Sequence, residues 1–231
     1  MDVSGVSQDE ILGAQDEAQG GECVSSETVN EIQAVFEQFG VELSGVDIVE
    51  LFNPDRFRPK ASAMGLASGT SFDLRTGWNL SCPRARNECW QKLLKEDPSL
   101  IIGSPKCGPF SSLTLLIPDK TERMKAMYRE AYEHLKFCAS VYRWQHSRGK
   151  YFLHEHPYTA TSWRLSFMIA LRALEGVDLV VGDQCPFGQG AKYRDEHGNV
   201  LWALVRKRTG WLTNHPRLKV VLNVKCQNSK L

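Results

Sequence analysis

Leu100-Ile101-Ile102-Gly103-Ser104-Pro105-Lys106-Cys107-Gly108-Pro109-Phe110-Ser111 joins a short apolar run to a loop punctuated by glycine and proline, with one cysteine at its centre. Two β-branched residues in a run this short fit a strand buried on both faces. Gly103 and Pro105 end the run, since neither residue type extends a buried strand well.

Outward from this stretch the same alternation repeats. Short β-branched runs at 46–52, 70–74, 151–154 and 179–181 are separated by helical periodicity at 59–67, 83–95, 120–147 and 162–174. Strands alternating with helices predict an α/β fold with a mostly parallel sheet and helices on both faces. A C-terminal hairpin is expected over 192–206, turning near His197, Gly198 and Asn199, with further strands at 211–213 and 218–224. The apolar positions Tyr128, Tyr132, Leu135 and Tyr142 of the long helix are expected to face the core.

In open parallel sheets, ligands bind beyond the carboxyl ends of the strands. The residues there are polar and reactive: Glu50 to Pro54 after the first run, Asp73 after the second, Cys107 after the third, and His154-Glu155-His156-Pro157 after the fourth. A thiol and a carboxylate on adjacent rims would share one crevice.

The order of these segments resembles the cytosine-5 DNA methyltransferases, in particular their small phage-type members and segments of retroelement polyproteins, over roughly residues 46 to 215. Pro105-Lys106-Cys107-Gly108-Pro109-Phe110-Ser111 is similar to the family's Pro-Pro-Cys followed by Phe-Ser. Glu155-His156-Pro157 is similar to Glu-Asn-Pro. Cys185-Pro186-Phe187-Gly188, with Lys207-Arg208-Thr209-Gly210-Trp211-Leu212-Thr213-Asn214, is similar to Cys-x-Tyr-Gly, Lys-Pro-Thr and Trp-Thr-Asn. The resemblance implies a Rossmann-like methyltransferase sheet and methyl transfer from S-adenosylmethionine to cytosine carbon 5 in DNA. It implies Cys107 as nucleophile, Glu155 as its acid partner, and Arg206 or Arg208 assisting. It places Glu50, Phe52, Asn53, Asp73, Asn79 and Pro105 around the donor, with Asp73 on the ribose.

The chemistry asks for these residue types. Cytosine carbon 5 is a weak nucleophile until a thiolate adds to carbon 6, so a cysteine that attacks and later leaves is needed. A carboxyl group on ring nitrogen 3 and the exocyclic amine favours that addition. Amides at the helix start after Cys107, together with Lys106, are expected to favour thiolate over thiol. A base within a duplex must be flipped out to reach them.

The chain departs from the family where Asn53-Pro54-Asp55-Arg56 replaces a glycine-rich donor loop, where Lys106 and His156 replace Pro and Asn, and where residues for the usual target-recognition region are missing. An alternative is therefore a catalytically inactive methyltransferase-like module of a mobile element that binds nucleic acid or protein. A third reading is a thiol or metal hydrolase using Cys107 with His154 or His156; without a paired Cys-x-x-Cys, no metal is expected.

Net charge is +1, but it is unevenly placed. Residues 1–55 carry 13 acids and no Lys or Arg, so residues 56–231 form a basic body of +14. Such a body favours a polyanionic partner, here DNA. Residues 1–26 are polar and acidic and are expected to be a disordered arm; residues 27–231 form the methyltransferase-like domain, opening with a helix at 28–39. The apolar runs fall far short of a membrane span. Seven cysteines without paired spacing, and no secretory signal, predict reduced thiols in an intracellular protein that is not secreted.

Overall fold

The computed structural model describes residues 45–112, 114, 117 and 121–227. The acidic arm and the helix expected at 28–39 lie outside them. Within them, strands and helices alternate in the order β1 (Ile48–Leu51), α1 (Arg58–Ala63), β2 (Ser68–Phe72), α2 (Pro83–Glu96), β3 (Leu100–Gly103), α3 (Glu122–Ser147), β4 (Tyr151–Pro157), α4 (Ser166–Arg172), β5 (Asp178–Asp183), β6 (Gly190–Arg194), β7 (Val200–Leu204), β8 (Arg208–Thr213) and α5 (Pro216–Val221).

Six strands form one mixed sheet in the order β2-β1-β3-β4-β8-β5. The first four are parallel neighbours, and β8 runs antiparallel between β4 and β5. The chain leaving β5 folds back on itself in a hairpin outside the sheet and re-enters as β8, antiparallel to β5. Strands β6 and β7 form that hairpin, a separate two-stranded ribbon with Lys192 opposite Trp202. It matches the hairpin expected at 192–206.

The period-two alternation of buried strands divides the core. Val49, Leu51, Ile101, Phe152 and Leu212 pack with Leu93 of α2, Leu135 and Tyr142 of α3, and Met168 and Leu171 of α4. On the other face Ile48, Leu100, Ile102, Leu153 and Trp211 pack with Phe57, next to α1, and with Leu218 and Leu222. Helices thus cover both faces, as expected. The Tyr142 hydroxyl sits so close under Gly103 that a Cβ there would lie 1.9 Å from it.

Two expectations are corrected. Residues 218–224 are not a strand, because α5 starts at Pro216, which needs no amide partner at the first helical position, and His215 Nδ1 accepts from the Arg217 and Leu218 amides. Leu218 and Leu222, one turn apart, then bury together. Nor are all seven cysteines free thiols: Cys185, in the 3₁₀ turn Cys185–Phe187, is bonded to Cys226 across a sequence separation of 41. The helix α5 brings the C-terminal segment back beside β5, where Val224 accepts from the Asp183 amide. Among the described residues no helix is long and apolar enough to cross a membrane.

Candidate active site at the carboxyl rim of the sheet

The parallel strands end on one edge, and the order β2-β1-β3 places the switch in strand direction of travel between β1 and β3. A crevice is expected there, flanked by Phe52 and Asn53 on one side and by the loop from Ser104 to Phe110 on the other.

Cys107 precedes the 3₁₀ turn Gly108–Phe110 and is half-buried. The loop is tied to β4 by His156, whose Nε2 lies 3.1 Å from the Pro105 carbonyl and whose Nδ1 lies 2.7 Å from Ser162 Oγ. A carbonyl only accepts, so Nε2 carries the proton and Nδ1 accepts from Ser162. Burial holds this ring neutral, with its pKa pushed down to about 4. Both ring nitrogens are thereby engaged, which removes His156 as a metal ligand. Among the described residues no cluster of three metal-ligating side chains exists. His154 is buried as well, with Nδ1 3.2 Å from the Tyr142 hydroxyl.

Glu155 lies one residue before His156, on the opposite face of β4, opposite Trp211 of β8. Its Oε1 faces Lys207 Nζ at 3.4 Å, is shielded from solvent and takes no hydrogen bond. Burial raises the Cys107 pKa, the Glu155 charge raises it further, and Lys207 lowers it. The thiolate expected for Cys107 is therefore corrected to a thiol. The turn after it is a single 3₁₀ turn with little dipole; nearby, burial lowers the His134 pKa, opposed by Glu130 and Glu133 and aided by Arg86 and Lys106.

The structure separates the three cations 206–208. Arg206 Nε and Arg208 Nε approach the two oxygens of the buried Asp183 at 3.3 and 3.4 Å, while Lys207 turns to Glu155. Burial alone would raise the Asp183 pKa; the Cys226 amide and the two guanidiniums outweigh it and hold the carboxyl below its usual range. Lys207 thus joins Cys107 and Glu155, and Arg206 and Arg208 form a second group. Period-two alternation into β8 was the signal for this, since residues 206 and 208 share a side that 207 does not.

The residues assigned to the donor divide likewise. Glu50 is buried; its carboxylate accepts from Asn53 Nδ2 and from the Phe57 amide, and desolvation raises its pKa to about 7. Asn53 O accepts from Ser71 Oγ at 2.5 Å. Glu50 and Asn53 therefore close the loop after β1, with both Glu50 carboxylate oxygens and the Asn53 backbone carbonyl accepting from within the loop and from Ser71. Phe52 has a left-handed backbone, φ 54°, and its ring lies 4.6 Å from His134. Asp73 caps the 3₁₀ turn Leu74–Thr76, with Oδ1 accepting from the Arg75 amide, and Asn79 Oδ1 accepts from the Ser81 amide. Both remain at the rim with the second oxygen or the amide nitrogen available. Beyond His134 opens a cavity of about 480 Å³ lined by Ser81, Arg86, Arg123, Glu130 and His134. Its volume lies within the range of small-molecule sites, about 300–1,000 Å³. Phe52 meets this cavity through His134, and Asn79 stands two residues before Ser81 of its lining.

Comparison with known proteins adds no identity: no protein-family model matches the chain, and no curated protein matches it.

Proposed function

We propose that the chain acts on cytosine carbon 5 in DNA as a methyltransferase of Rossmann-like architecture, with Cys107 as the nucleophile. One observation supports this most: Cys107, Glu155 and Lys207 converge on one rim, with a shielded Glu155 oxygen that takes no hydrogen bond. That oxygen has the ion pair with Lys207 but no hydrogen bond, and a ligand N–H aimed at it would supply one. The exocyclic amine of cytosine is such a donor.

Cys107 gives its proton to water, its sulfur forms a bond to carbon 6, and the electron pair of the 5,6 double bond moves to carbon 5. Lys207 eases the first step by lowering the thiol pKa against Glu155. S-adenosylmethionine, when bound, supplies an electrophilic methyl group, and Phe52, Asp73, Asn79 and Pro105 would hold it. Loss of the carbon 5 proton returns the pair to the ring and breaks the bond to Cys107. DNA suits the basic body, and it would place the chain inside the cell, where the Cys185–Cys226 bond is exposed to reduction.

The test is duplex DNA carrying 5-fluorocytosine, which blocks proton loss and traps the adduct. A covalent complex in the presence of S-adenosylmethionine that disappears in Cys107→Ala is expected; a complex surviving that substitution removes Cys107 from the reaction. A second reading, a nucleic-acid-binding module without catalysis, is favoured by the Glu50–Asn53–Phe57 closure of the donor loop. Calorimetry separates the two: no heat with millimolar S-adenosylmethionine, on folded protein, leaves only the module.

A further inference from the structure

The ribbon β6–β7 leaves the sheet next to this rim. Its base is anchored by the Val205 amide on the Gln189 carbonyl at 2.9 Å and by the Gln184 amide on the Lys207 carbonyl at 3.0 Å, the backbone of the residue that faces Glu155. Beyond that anchor its side chains are exposed on both faces: Tyr193 and Leu201 on one, and Val200 and Trp202, each more than half exposed, on the other. A two-stranded ribbon is marginal in water by itself. Large apolar side chains held in solvent on such an element mark a contact surface.

Its chemistry selects the partner. Cross-strand pairing puts Lys192 beside Trp202 and Arg194 beside Val200 on one face. Neither strand carries an acid; both carboxylates, Asp195 and Glu196, sit at the turn. Asp195 accepts there from the amides of His197 and Asn199 and from Asn199 Nδ2, so its charge is taken up by the turn itself. A face that interleaves cations with an indole and a branched aliphatic suits a polyanion carrying flat apolar surfaces. Trp202 is held in place by close approach to Gly190, where a Cβ would lie 2.5 Å from the indole.

We infer that the ribbon enters the major groove of duplex DNA, with Lys192, Arg194 and Trp202 facing base edges next to the position where a flipped cytosine meets Cys107. This rests on the reading of the rim as a nucleic-acid site. The major groove, about 12 Å wide, admits a two-stranded ribbon, and Lys and Arg read guanine N7 and O6 there while apolar groups meet the thymine methyl.

Dimethyl sulfate protection of guanine N7, which lies in the major groove, tests this on the full chain with a duplex of about 25 base pairs. Wild type is expected to protect guanines. Lys192→Ala with Arg194→Ala is expected to abolish protection, weaken binding at least tenfold by anisotropy, and reduce the slope of log affinity against log salt by up to about 2, with the melting temperature unchanged. Trp202→Ala is expected to reduce protection with a smaller change in slope. DNA binding without N7 protection, protection insensitive to both variants, tighter binding to a single strand of the same sequence, or a doubled mass in solution that Trp202→Ala reverses would each overturn the ribbon's role. Absence of any DNA binding by wild type would overturn the nucleic-acid reading with it.

Discussion

His156 donates from Nε2 to the Pro105 carbonyl, two residues before Cys107, across 3.1 Å. A side chain on β4 thereby fixes the loop that follows β3, and Ser162 fixes the side chain in turn at 2.7 Å.

His156→Ala leaves that carbonyl and the Ser162 hydroxyl without their partner and is expected to lower stability by about 2–4 kcal/mol from cavity and hydrogen-bond loss. The ring also imposes a pH dependence. Its folded pKa of about 4 lies below the usual 6.5, so the unfolded chain binds the extra proton first. Stability from this group is complete above about 6.5 and is lost as pH falls towards 4, by an amount on the order of 3 kcal/mol. Urea titrations at pH 5 and 7 on wild type and His156→Gln check this; the difference between the proteins should shrink at pH 5.

Glu50 runs the other way. Burial raises its pKa from 4.5 to about 7, so between those values the folded protein keeps a proton that the unfolded chain has released. Stability is expected to fall as pH rises through that window, on the order of 3 kcal/mol in all. In Glu50→Gln this contribution is absent, and above pH 7 the variant should lose less stability relative to pH 5 than wild type does. A parallel pH profile for the two proteins would contradict the assignment.

The thiols should react in a fixed order. Cys82 is exposed and its pKa is lowered by the Ala85 and Arg84 amides; Cys107 is half-buried with a raised pKa; Cys89 and Cys138 are enclosed. Among the free thiols of the described residues, iodoacetamide at pH 8 with peptide mass mapping should label Cys82 first, Cys107 several-fold more slowly, and the last two only on unfolding. Glu155→Gln should speed labelling of Cys107, and Lys207→Ala should slow it.

Gly103 and Tyr142 are coupled sterically. Gly103→Ala drives a methyl group into the Tyr142 hydroxyl, where 1.9 Å separates them, and is expected to destabilise by about 1–3 kcal/mol. Tyr142→Phe removes the offending oxygen, so the double variant should lose less than the two single losses added together. Strict additivity in a double-mutant cycle would count against the contact.

The Cys185–Cys226 bond closes a loop of 41 residues. Chain-entropy reasoning gives it about 4 kcal/mol at most. Cys226→Ser, or dithiothreitol, should lower the melting temperature, and the reductant should have no effect on the variant.

The alternation of β-branched runs with helical periodicity was enough to place four parallel strands and the helices between them, because burial on both faces leaves a local signature in each segment. It also put Cys107 and Glu155 on the same edge, since residues after parallel strands gather there whatever the details of packing. Three things were decided only in three dimensions. The pairing of β8 between β4 and β5 depends on which strand the returning chain meets, and the same proximity joins Cys185 to Cys226 across 41 positions. The segment from Pro216 to Val221 became a helix because Leu218 and Leu222, one turn apart, bury together against the sheet, a contact that outweighed β-branched composition. The charge state of Cys107 and the pairing of Lys207 with Glu155 follow from desolvation and from charges contributed by distant segments, which no single stretch of sequence contains.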